Sequence, residues 1–316
     1  MADLLTRRAP GAASGIASAP RARTYAEVTE LRARHPEAVA AALADRVRRT
    51  SFVPDDGRLM VVAADHPARG ALSARGRADA MASRTELLDR LRTALARPGV
   101  DGLLATADIA EDLLLLGALE DKVVIASMNR GGLAGSVFEM DDRMTAYDVP
   151  GIVESGFDAG KMLLRIDRDD PGTVSTMETC ARAVTELNRA GKVAMVEPFL
   201  SSRSSSGAGG GKVVNDLTPE GVITSIHVGQ GIGASSARTW LKLPVVDDME
   251  RVMEATTLPT LILGGDPVAA PDATYETWRK ALALPAVRGL VVGRALLFPP
   301  DDDVATAVDT AVSLVR

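Results

Sequence analysis

The stretch Arg238-Thr239-Trp240-Leu241-Lys242-Leu243-Pro244-Val245-Val246 reads as a β-strand. It carries β-branched and aromatic residues and a proline near its end. Pleating sends alternate side chains to opposite faces. Trp240, Lys242 and Pro244 therefore share one face, and Leu241 and Leu243 share the other. A lysine in the middle of such a strand is unusual, because a buried ammonium is costly unless paired or neutral. Lys242 is either an edge or ion-paired lysine, or an amine held partly neutral by desolvation and able to attack a carbonyl. The company it keeps decides between these.

Seven further strand-like runs accompany it, at 58–64, 102–106, 122–127, 162–166, 193–196, 260–263 and 289–292. Helical patterns lie between them, for example at 83–96, 173–190, 247–255 and 273–282. Eight strands alternating with helices predict an α/β fold with a closed (β/α)8 barrel, a TIM barrel. A doubly wound open sheet is the rival. It would gather its chemical residues after two or three strands, whereas here they follow nearly all of them. Before the barrel, the pattern from Tyr25 to Arg49 is helical, with Pro36 starting a second helix or kinking the first. The expected organisation is a disordered segment over 1–23, a helical extension over 24–56 and the barrel over 57–316. The Ser/Gly-rich stretch 201–212 reads as a mobile loop after the fifth strand.

The composition narrows the function. The formal net charge is −6 and aromatics make up 3% of the chain, so neither nucleic acid nor a membrane surface is an expected partner. No apolar run is long enough to span a bilayer. The single Cys180 sits in a helical pattern as a small core residue, with no disulfide framework and no CxxC. The N-terminal stretch lacks an apolar signal region, and its shortage of acids is the one feature it shares with a transit peptide. The chain reads as cytoplasmic.

Active sites of such barrels sit at the C-terminal ends of the strands. Read in order, those ends supply Asp65, Thr106, Asn129, Arg165, Glu197, Lys242, Gly264-Gly265 and Gly293-Arg294. Singly, each has a bland explanation. Asp65 can cap a helix, Glu197 before Pro198 can be a surface acid, and Arg165 can pair with Asp167. Together with Lys161, they form one polar mouth better explained by catalysis. Gly264, Gly265, Gly293 and Arg294 form a second group after the last two strands. Glycines there let backbone N–H groups approach a phosphate, and Arg294 adds a charge-assisted contact. Tight βα turns are the alternative. The histidines His35, His66 and His227 are dispersed and show no metal-ligand spacing. No metal or organic cofactor is expected.

These residues resemble the class I, Schiff-base aldolases of the deoxyribose-phosphate and tagatose-bisphosphate aldolase group, over about residues 58–300. The resemblance rests on Ala63-Ala64-Asp65-His66, on Lys161-Met162-Leu163-Leu164-Arg165-Ile166-Asp167, on Glu197-Pro198, on Lys242 and on the paired glycine turns. It implies a carbon–carbon lyase in which Lys242 forms the Schiff base and Glu197 is the general base. Asp65 orients the amine or shuttles protons. Lys161 lowers the pKa of Lys242 and relays a proton. It lies four residues, roughly 13 Å, before Arg165 along the strand, so a structural role paired with an internal acid is the alternative. Tagatose-type enzymes have an aromatic pair where this chain has Arg165-Ile166. The chain further resembles an actinobacterial branch associated with inositol breakdown. That implies 6-phospho-5-dehydro-2-deoxy-D-gluconate as substrate, its acid end held by Arg165 with Asn129 and Arg130, and a homo-oligomeric enzyme. Bisphosphate and deoxyribose-phosphate aldolases, a phosphosugar isomerase or epimerase, and a non-catalytic sugar-phosphate sensor remain alternatives.

Overall fold

Residues 20–204, 211–265 and 271–316 are described by the computed structural model. The strands are β1 (Leu59–Ala63), β2 (Gly102–Ala105), β3 (Val123–Ser127), β4 (Ala159–Ile166), β5 (Val193–Arg203), β6 (Val213–Asn215), β7 (Thr239–Leu243), β8 (Thr260–Leu263) and β9 (Val287–Val292). Their spatial order is β4-β3-β2-β1-β9-β8-β7-β5, and β5 bonds back to β4, so the sheet closes. Every pairing around the ring is parallel. Helices lie between the strands, and the fold is a (β/α)8 barrel. Among the described residues no helix is long and apolar enough to cross a membrane.

The period of two in the strands builds two cores. Leu59, Val61, Ile125, Ala159, Met195 and Trp240 fill the inside of the barrel. Met60, Val62, Leu103, Leu241 and Leu243 face outward and pack with helix residues such as Leu91, Val184 and Val308. This alternation determines what stands next along each strand. Two residues after Ile125, Ala159, Met195 and Trp240 come Ser127, Lys161, Glu197 and Lys242. The polar layer therefore stands directly above an apolar one on the same inner face.

Two helices precede the barrel, α1 (Tyr25–Arg34) and α2 (Glu37–Asp45), with Pro36 at the N-cap of the second. Pro36 thus starts a helix rather than kinking one. Beyond them Phe52 meets Trp240 edge-on, with ring centroids 5.3 Å apart, and with Val53 covers the inner core at the start of β7. The segment expected to be disordered, 1–23, lies mostly outside the described residues. Its last part is tied down, since Ala22 is buried and donates to Leu115 O at 2.8 Å.

Two strands run further than the sequence reading gave. β4 begins at Ala159, so Lys161 lies inside the strand and not before it. β5 continues through Pro198 to Arg203. Pro198 is tolerated because the missing N–H faces the β7 side, where pairing ends at Val196. The stretch expected as a mobile loop is in part a hairpin, with Ser201 opposite Asn215 of β6, and its middle lies outside the described residues.

Gly289 holds the closure between β9 and β1. Its φ is +134°, and an added Cβ would sit 1.8 Å from the carbonyl oxygen of Leu59. Gly289→Ala should therefore cost about 3 kcal/mol or more, because backbone strain and overpacking coincide. Urea denaturation checks this, and a loss within about 0.5 kcal/mol would contradict it.

Candidate active site

Glu197 is buried at the centre of the barrel mouth, and each of its carboxylate oxygens meets a different lysine. Lys242 Nζ donates to Oε1 at 2.6 Å, and Lys161 Nζ closes on Oε2. Lys161 reaches onward to Asp65 Oδ2 at 3.4 Å. The same Asp65 oxygen accepts from Ser127 Oγ at 2.9 Å and lies 3.2 Å from Arg130 Nη2. Arg130 also donates to the main-chain oxygens of Asp65 and Asn129, which ties the ends of β1 and β3 together. A connected array thus runs Lys242, Glu197, Lys161, Asp65, Ser127 and Arg130.

Burial alone would raise both carboxyl pKa values and lower those of the amines. Pairing reverses this for the acids. Burial raises Glu197, but Lys161 and Lys242 outweigh it and bring its pKa down to about 2. Asp65 is likewise raised by burial, yet Arg130 and Lys161 hold it well below the ordinary value. Lys161 moves the other way. Burial lowers its pKa to about 8, even against Asp65 and Glu197. The neighbouring His66 is kept neutral by burial, with its pKa pushed to about 3.

The array forms the floor of a cavity of about 500 Å³. Gly264, Gly265, Gly293 and Arg294 line one side. Gly293 is required by packing, since a Cβ there would lie 2.4 Å from Ala63 O. Gly264 would press on Val292 at 2.5 Å. Gly265 instead has φ +63° with open space around it, so only its backbone conformation calls for glycine. Arg294 opens the short helix α10 (Arg294–Leu297) and donates to Ser73 O at 3.4 Å.

Arg69, Arg130 and Arg165 line the opposite side. Two expectations change here. Arg165 does not pair with Asp167. Its Nη1 bonds Glu139 Oε1 at 2.6 Å, while the Asp167 carboxylate accepts from the Asp169 N–H. Asn129 does not line the cavity. Its amide donates to Leu163 O at 2.6 Å and accepts from Leu163 N at 2.8 Å. The ladder between β3 and β4 stops at Ser127 and Lys161, and the Asn129 side chain carries it further. Asn129 is therefore a clip between strands, with both ends of its amide taken.

Ser127, Arg69, Glu139 and Asp142 were not singled out in the sequence. Ser127 could have been, since it is inward-facing by parity with Ile125. Glu139 and Asp142 lie in an irregular segment between β3 and α5 (Val149–Glu154), where no periodicity marks them.

The pKa directions give a stability test. Glu197 has a depressed folded pKa, so its contribution is full above the unfolded value and is lost as pH falls toward about 2. Glu197→Gln leaves two buried amines without their partner and should cost about 3–5 kcal/mol near pH 7. The gap to the wild type should narrow between about pH 5 and pH 2, as the wild-type carboxylate protonates. Denaturation series at both ends of that range check this, and a gap independent of pH would contradict it.

None of the curated proteins compared matches the chain in sequence. Among solved structures, Cgl0159 from Corynebacterium glutamicum is 52% identical, with a TM-score of 0.88 over 92% of this chain and 96% of that one. A Schiff-base-forming fructose-1,6-bisphosphate aldolase shares the fold at 17% identity, with a TM-score of 0.58 over 88% of this chain and 100% of that one. An archaeal fructose-1,6-bisphosphate aldolase, with its catalytic lysine bound to a carbinolamine intermediate, is also 17% identical. Its TM-score is 0.60, over 88% of this chain and 99% of that one. The model of the Cgl0159-like family matches residues 57–312, which take in the whole barrel and every residue of the charged array, and the chain belongs to that family.

Proposed function

We propose that the protein is a class I aldolase acting on a phosphorylated keto-sugar acid. The observation that carries this is the pair of buried lysines sharing one buried carboxylate at the floor of a cavity. Lys242 is the nucleophile. It meets one carboxylate only, which leaves directions of its amine open toward the cavity, while Lys161 is wedged between Asp65 and Glu197. That Schiff-base-forming aldolases share the fold supports the reading.

Lys242 Nζ attacks the substrate ketone, and the oxygen takes a proton to give a carbinolamine. Lys161, with its pKa near 8, can give and regain that proton near neutral pH. Water leaves and an iminium forms. Glu197 then accepts the proton of the hydroxyl two carbons from the iminium carbon. The O–H electrons become a carbonyl, the carbon–carbon bond breaks, and its electrons move onto the iminium as an enamine. Protonation of the enamine and hydrolysis return Lys242. Asp65 keeps Lys161 charged and oriented. The iminium is the electron sink, so the steps as written use no metal.

The substrate we propose is 6-phospho-5-dehydro-2-deoxy-D-gluconate. Its phosphate sits against Gly264, Gly265, Gly293 and Arg294. Its C5 ketone meets Lys242, and Glu197 takes the C3 hydroxyl proton. Cleavage between C3 and C4 gives dihydroxyacetone phosphate and malonate semialdehyde. The carboxylate lies toward Arg165, whose fork has donors beyond the one held by Glu139. Comparison of kcat/KM for this acid, fructose 1,6-bisphosphate, tagatose 1,6-bisphosphate and deoxyribose 5-phosphate tests the choice. The acid should be preferred. Arg165→Ala should lower kcat/KM for the acid by about tenfold or more, since a charged hydrogen bond is worth about 1.5–3 kcal/mol. Preference for a bisphosphate would displace the substrate, and cleavage of none of the four by the wild type would count against an aldolase.

A further inference from the structure

The arginines on the side of the cavity away from Arg294 are not bare charges. Arg165 is held by Glu139, and Glu139 also accepts from Gly135 N at 2.7 Å. Arg69 pairs with Asp142, donates to Gly132 O at 2.7 Å and Asn129 O at 2.8 Å, and Asp142 accepts from Gly132 N at 2.8 Å. Arg130 faces Asp65. Three cations thus meet three carboxylates, all six groups are largely buried, and this side of the cavity is close to neutral. The remaining charge is elsewhere. Lys161 and Lys242 against Glu197 leave one positive charge, and Arg294 supplies another beside the glycine turns.

We propose that Glu139 and Asp142 are specificity-determining residues that restrict the cavity to substrates bearing a single phosphate. The inference rests on the aldolase reading for the identity of the substrate, and it deepens that reading. A phosphate dianion beside Arg294 matches the two uncompensated charges. A second dianion at the far end would face Glu139 and Asp142 across a poorly solvated site, where like charges repel strongly. A hydroxyl, an aldehyde or a single carboxylate carries less charge and can take the arginine donors left over. Both acids come from the segment between β3 and α5, so this segment, and not the barrel strands, sets how much charge the far end accepts. Glu139 acts on substrate through Arg165 and on the loop through Gly135. It is placed to tune affinity without touching the reacting atoms.

The test uses two probes without a carbonyl, D-glucitol 6-phosphate and D-glucitol 1,6-bisphosphate, whose binding is measured by calorimetry on the whole protein. Neither can form a Schiff base, so the result does not depend on whether Lys242 reacts. Wild-type protein should bind the monophosphate at least as tightly as the bisphosphate. Glu139→Gln keeps the shape and removes the charge, and should move the ratio of the two affinities toward the bisphosphate by about tenfold, or about 1.4 kcal/mol. Tighter binding of the bisphosphate by the wild type would overturn the proposal, as would an unchanged ratio in the variant. Binding of neither probe would remove the phosphate site itself. Should Glu139→Gln fail to fold, Asp142→Asn takes its place, and the wild-type comparison still decides. Failure of the aldolase reading is seen separately, as absence of cleavage by a protein that nonetheless ranks the two probes in this order.

Discussion

Glu197 is the constraint on which the site depends. One buried carboxylate holds two buried amines, each on its own oxygen. Removing either partner would leave a charge in a place where water cannot compensate it. The array therefore persists only as a set, and each member fixes the others. Lys161 stays between two acids, Lys242 is aimed at one, and Asp65 is fastened from below by Ser127 and from the side by Arg130. Preorganisation of this kind is what a charged intermediate needs, because the dipoles and charges are in place before the reaction begins.

The barrel makes this arrangement inexpensive in geometry. A period of two carries each strand from an apolar inner residue to a polar one without any special turn. Trp240 beneath Lys242 and Met195 beneath Glu197 exclude water from below, and Phe52 covers Trp240 from the N-terminal segment. The irregular segment after β3 closes the mouth from the side, with Arg69 and Arg165 pinned to its acids. Strands thus supply the groups proposed to react, and this segment and the turns after β8 and β9 surround the space for substrate.

Much of this was legible in the sequence, and the reason is periodicity. Eight alternating strand and helix signals are enough for the barrel, and the residue at each strand end follows from where the apolar run stops. Asp65, Glu197 and Lys242 are found that way. Lys161 was placed before its strand, and so looked too deep, because Ala159-Gly160 carries little strand propensity; pairing with β3 and β5 includes it nonetheless. Asn129 looked like a site residue because it ends a strand, whereas a buried amide can equally replace a missing ladder bond. The partner of Arg165 was not legible. Glu139 is 26 residues away in an aperiodic segment, and nothing in local spacing predicts a contact made by tertiary folding alone.

The most direct measurement is covalent. The protein is incubated with dihydroxyacetone phosphate, reduced with borohydride, digested and mapped by mass spectrometry. The predicted result is one reduced adduct per chain, on Lys242, which is lost in Lys242→Met while the fold is retained. An adduct on Lys161, whose pKa of about 8 makes it the other amine able to react, would reverse the roles of the two lysines. No adduct on either would contradict the Schiff-base chemistry outright.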